Sequence, residues 1–153
     1  MAVSAIPEGH HSVTPYLIVD GGAEAIEWYK QVFGAEEIMR LGGPEGAIGH
    51  AELRIGDSRI MLADENPQFE ARAPGHFGGS PVTLHLYVTD VDAVVNKATG
   101  AGATLNRPVQ DMFYGNRTGS VTDPFGHVWH VATHIEDVSI EEIERRMAQM
   151  HKS

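Results

Sequence analysis

His127 and His130 stand three apart in DPFGHVWH, residues 123–130, after a Pro-Phe-Gly turn and on a stretch that reads as a strand. Imidazole nitrogens bind divalent metals, and a neutral imidazole also serves as a general base. His50 and Glu52 in GHAELRI, and His85 in TLHLYV, add two imidazoles and a carboxylate. His85, His130 and Glu52 together form a sound divalent-metal set of two nitrogens and one carboxylate. Without metal, Glu52 on an apolar strand can act as base, with His130 or Tyr114 as proton donor. Spacing alone brings none of these to one point. A third reading, ordinary hydrogen-bonded polar residues, therefore stays open beside the other two.

Other chemistries are excluded by what is missing. The chain has no cysteine, which removes disulfides, thiolate nucleophiles and thiolate metal sites. It has neither a G-x-S-x-G elbow nor a G-x-x-x-x-G-K-[ST] loop. HFGGS at 76–80 is glycine-rich, but no helical pattern follows it to cradle a phosphate. Eleven Lys and Arg against 21 Asp and Glu give a formal charge of −10, which argues against nucleic acid and anionic membranes as partners. That charge suits a cationic, aromatic small molecule, which aromatic side chains such as Tyr16 and Tyr114 would stack upon. MAVSAIPEGHHS has no basic start and no long apolar run, so a cytoplasmic location is expected. Residues 1–11, with His10 and His11, read as a flexible start.

The elements that must position these residues come in a repeat. TPYLIVDGGAEAIEWY from Thr14 and TLHLYVTDVDAVVNKA from Thr83 lie 69 residues apart, and Thr14, Leu17 and Val19 match Thr83, Leu86 and Val88. Each begins with period-two alternation, the mark of a strand with two environments. Thr14, Tyr16 and Ile18 share one face of the first; Thr83, His85 and Tyr87 share one face of the second. Helical patterns follow over 21–33, with a stripe of Ala25, Tyr29, Val32 and Phe33, and over 90–99, with Asp90 as cap. GAIGHAELRI and SRIMLAD read as a hairpin around Gly56–Asp57, and GNRTGSVTD and HVWHVATH as its counterpart. The unit is β-α-β-β-β, twice. It is placed at residues 12–64 and 82–135, with a Gly- and Pro-rich connection or lid over 65–81. Residues 136–153 hold a last helix with Ser139 and Glu142 spaced as a capping box.

TPYLIVDGGAEAIEWYKQVFGAEE, SPVTLHLYVTDVDAVVNKATGAGAT and DPFGHVWHVATH resemble the vicinal oxygen chelate superfamily, which includes glyoxalase I, bleomycin-resistance proteins, fosfomycin-resistance enzymes and extradiol dioxygenases. TPYL and DPFGHVW are most similar to its PhnB-like branch. The resemblance covers roughly residues 12–135. It implies an α+β fold in which two βαβββ modules form a curled mixed sheet around a cavity, here with an extra C-terminal helix. It also implies a divalent metal held by His and Glu from the first and last strands of the modules. Carried over, those positions are Thr14, Met61, Thr83 and His130. A neutral hydroxyl is a weak ligand, and a thioether suits soft metals. The usual metal site is therefore expected to be lost.

The resulting expectation is a glyoxalase/bleomycin-resistance-like protein that binds a small organic molecule. The expected lining is Thr14, Tyr16, His50, Glu52, Met61, Thr83, His85, Tyr114, Arg117 and His130, with Glu52 and His130 as catalytic candidates. No cofactor is required by this reading, and a homodimer is expected. The alternative is a metal-dependent lyase, transferase or dioxygenase with rearranged ligands, its divalent metal on His85, His130 and Glu52.

Overall fold

A computed structural model describes residues 2–152. Met1 and Ser153, which close the expected terminal segments, lie outside the described residues. The chain divides into two units: residues 1–81 with 125–127, and residues 82–124 with 128–153.

The first unit is built from β1 (Tyr16–Val19), α1 (Gly22–Phe33), β2 (Glu36–Gly42), β3 (Ile48–Ile55) and β4 (Ser58–Asp64). Its sheet has the order β1-β4-β3-β2, with β1 parallel to β4 and the other pairs antiparallel. The second unit is built from β5 (Thr83–Tyr87), α2 (Val91–Gly100), β6 (Thr104–Asp111), β7 (Asn116–Thr122), β8 (Val128–His134) and α3 (Ile140–Met150). It repeats the same order, β5-β8-β7-β6, with the same pattern of pairing. The fold is α+β, two βαβββ modules with a C-terminal helix. Short 3-10 turns at Pro67–Phe69 and Pro74–Phe77 break the connection between them.

Alternation decides which face of each sheet is covered. In β3, Ala51, Leu53 and Ile55 are buried, while His50 and Glu52 are half-buried and Arg54 is exposed. α1 lays Ala25, Ile26, Trp28, Tyr29 and Val32 against the sheet. The buried stripe is wider than the expected one: Ile26 is fully buried and Phe33 only half so. Each large side chain buried in this way contributes about 1.5–3 kcal/mol. α1 stops at Gly34, whose φ of 67° is costly for other residues.

Both helix starts are held by the last strand of their own module. Asp64 Oδ1 accepts from the amides of Gly21 and Gly22 at 2.9 and 2.8 Å, and its Oδ2 accepts from Ile48 at 2.7 Å. Gly22 is required there, because a Cβ would lie 2.8 Å from both Asp64 and Ile48. Thr133, in the matching place 69 residues later, accepts from the Val91 amide at 3.0 Å. Asp90 adds the expected cap, accepting from Ala93. Ser139 caps α3 by accepting from Glu142, whose carboxylate turns to Arg145 and Arg146 instead of closing the capping box. Among the described residues, no helix is long and apolar enough to cross a membrane.

Candidate functional site

The two histidines of DPFGHVWH part company. His127 Nε2 donates to the Ile18 carbonyl at 2.9 Å within the first unit. His130 points from β8 onto the helix-free face of the second sheet, beside His85.

In the first unit, register aligns Tyr16, Met61, Glu52 and Met39 in one row across the four strands. His50 and Arg59 share this open face. A hydrogen-bonded chain runs over it. Tyr16 Oη donates to His50 Nδ1 at 2.9 Å, and His50 Nε2 donates to Glu52 Oε2 at 3.2 Å. The other carboxylate oxygen takes His10 Nε2 at 3.0 Å and lies 3.8 Å from Arg59 Nη1. These directions follow from chemistry: a carboxylate only accepts, so the facing imidazole nitrogen carries the proton and the other accepts from the phenol. Burial, and then the Glu52 charge, raise the Tyr16 phenol above its ordinary value. Tyr16 thus stays protonated near neutrality, as its bond to His50 requires. His10, read from sequence as part of a flexible start, has a side chain only 12% exposed against Glu52. Arg59 Nε is buried without a hydrogen-bond partner.

Tyr16 also borders a cavity of about 340 Å3 in this unit. Ile18, Ala63, Gly43, Ala47 and the start of β3 line it. The connecting segment adds Glu65, Asn66 and Phe69 to its lining.

In the second unit the equivalent row is His85, His130, Ser120 and Arg107. The two imidazole centroids are 6.3 Å apart, and Tyr87 packs 4.8 Å from His85. Burial first, then Arg107 and His85, push His130 below the ordinary imidazole value, favouring its neutral form. Tyr114 lines the same cavity, which measures about 100 Å3. Arg117 does not share this face. Its guanidinium is bidentate to Asp92 of α2, at 2.8 and 3.0 Å, with a further bond to Asp111. The helix side was available to parity, since Val121 on the same alternation is fully buried. Thr83 opens β5 opposite Val128, and Thr14 precedes β1. The cross-strand neighbours of His130 and Met61 are instead His85 and Tyr16.

A family model for the glyoxalase/bleomycin resistance protein/dioxygenase superfamily matches residues 9–131. The chain belongs to that superfamily. Among its relatives is the uncharacterized protein Rv0887c of Mycobacterium tuberculosis, 41% identical over 151 residues, covering 97% of this chain and 86% of that protein. Protein PA1353 of Pseudomonas aeruginosa has a similar structure, with 25% identity and a TM-score of 0.67 over 82% of this chain and 99% of that one. The PhnB protein of Bacillus cereus shares the fold at 18% identity, with a TM-score of 0.63 over 80% of this chain and 99% of that one.

The metal implied by the resemblance to this superfamily does not suit the donors found in either module. The first row offers a phenol, two thioethers and a carboxylate already held by two imidazoles and near an arginine. The second offers two imidazoles and a serine, but it sets the Arg107 cation against them. Among the described residues, no group of three or more His, Asp or Glu is placed to hold a metal ion. The set His85, His130 and Glu52 is divided between the two units. Sequence reasoning missed His10, Arg59 and Arg107. Only Arg59 carried a local signal, through its alternation with buried Ile60 and Leu62.

Proposed function

We propose that this superfamily member binds a small organic molecule on the open face of its first module, without a bound metal. The observation that supports it is the cavity of about 340 Å3 beside Tyr16. Its size falls in the range of small-molecule sites, about 300–1,000 Å3. Tyr16 and Phe69 offer aromatic surface, and Ile18 and Ala63 an apolar floor. Asp64 is committed to the start of α1, which leaves Glu65 as the rim charge nearest a cationic group. Glu65 itself accepts from the Ala73 amide, so the rim is held in place. The chemistry suits a flat, apolar molecule carrying a positive charge.

The Tyr16–His50–Glu52 chain gives this face a means of moving a proton. Tyr16 Oη can accept a proton from a bound molecule while passing its own to His50, and Glu52 faces the imidazolium that forms. The working unit is taken to be a homodimer, because each sheet retains two edge strands and an open face. Light scattering would then give twice 16.6 kDa.

A thermal-shift screen of aromatic amines and 2-oxo compounds, run with and without divalent metals, tests the reading. Aromatic amines should raise the melting temperature without metal, and Tyr16→Ala should abolish the shift. A shift that appears only with a bound metal would favour the metal-dependent lyase, transferase or dioxygenase instead.

A further inference from the structure

The cavity of the second module is lined by Arg107, His85 and His130, together with Gln110, Ser120 and Tyr114. No Asp or Glu lines it among the described residues, although the chain carries 21 of them. Other arginines of this unit are neutralised: Arg117 by Asp92 and Asp111, Arg145 by Glu142, and Arg146 by Glu136 and Glu142. Arg107 forms no salt bridge among the described residues, and its charge acts on His130. A guanidinium presents a planar fork of donors suited to carboxylate and phosphate oxygens. Imidazole, hydroxyl and amide groups around it each have a proton to donate. At about 100 Å3 the space suits a small charged group and not a drug-sized molecule.

We propose that the open face of the second module is an oxyanion site, in which Arg107 and the His85–His130 pair hold a carboxylate, phosphate or phosphonate group. Where the resemblance leads one to expect a bound cation, this chain presents cationic and proton-donating groups. The site is built from second-module residues alone, and does not rest on the reading of the first-module cavity.

The test is an NMR titration of the full chain, following the ring Cε1–H signals of all histidines at constant pH and ionic strength. Inorganic phosphate, methylphosphonate, acetate and pyruvate are added in turn, with chloride as the screening control. Saturable shifts confined to His85 and His130 are expected with at least one oxyanion. The preference between tetrahedral and planar anions identifies the source. Arg107→Gln should weaken binding by about tenfold or more, the loss expected for a hydrogen bond to a charged group. Arg54→Gln, on the first module, should leave it unchanged. If Arg107→Gln fails to fold by circular dichroism, His85→Gln takes its place with the same expected direction. No saturable shift up to about 50 mM, equal shifts with chloride, or unchanged binding in the folded variant would overturn the proposal.

Discussion

Tyr16 Oη lies 2.9 Å from His50 Nδ1, and the two rings are tilted with centroids 5.4 Å apart. The pair joins the mouth of a cavity to a carboxylate that His10 and Arg59 also approach. Because Glu52 is engaged on both oxygens, it fixes the His50 tautomer, and the tautomer in turn fixes the direction of the Tyr16 proton.

Glu52→Gln should lower the Tyr16 phenol toward its ordinary value of 10.0, but only partway. Burial is the larger cause of its elevation and persists in the variant. Tyrosinate absorbance in an alkaline titration reads this, with Tyr16→Phe identifying the signal. If Tyr16 titrates unchanged in Glu52→Gln, the coupling across this face does not exist.

His130 gives an acid dependence with a definite sign. Its folded value lies below 6.5, so on acidification below that point the unfolded chain takes up protons first. Stability should therefore fall as pH drops through the region below 6.5 and level off once the folded imidazole is protonated too. His130→Gln removes this component. Its stability relative to the parent should improve between about pH 7 and about pH 5 in urea titrations. Arg107→Gln should raise the His130 titration point partway, because burial, the first cause, remains. A steeper loss on acidification in His130→Gln than in the parent would contradict the assignment.

Asp64→Ala strips one acceptor from three backbone amides at the start of α1 and β3. The expected cost is about 2–4 kcal/mol, set by charge-assisted bonds left unmade at a helix start. Asp64→Asn should recover part of it by keeping one oxygen. Urea denaturation measures both. A loss in Asp64→Ala no larger than that of an exposed control such as Glu70→Ala would show that the amides find water instead.

Alternation was the most informative pattern in the sequence. It placed Tyr16, His50 and Glu52 on one face, and His85 and His130 on another, because successive side chains of a strand point to opposite sides. Both hairpins were legible from local patterns too, as were the caps at Asp90 and Ser139, although the capping box of α3 does not close. Arg117 was misassigned to the cavity although buried Val121 shares its parity. His10 had no pattern to betray it, since it lies outside any strand or helix.

The sequence by itself determined the superfamily, the repeated βαβββ order and which residues β1, β3, β5 and β8 turn away from the helices, since turns, caps and period-two alternation are local. Only the tertiary structure decided which of those residues are neighbours. Register between strands brought Arg107 into the row of His130 despite the shifts within β6, while packing outside the strands set His10 against Glu52 and placed His127 and His130 in different units. Those pairings join positions far apart in the chain, and side chains from several elements must pack together before any one of them is set.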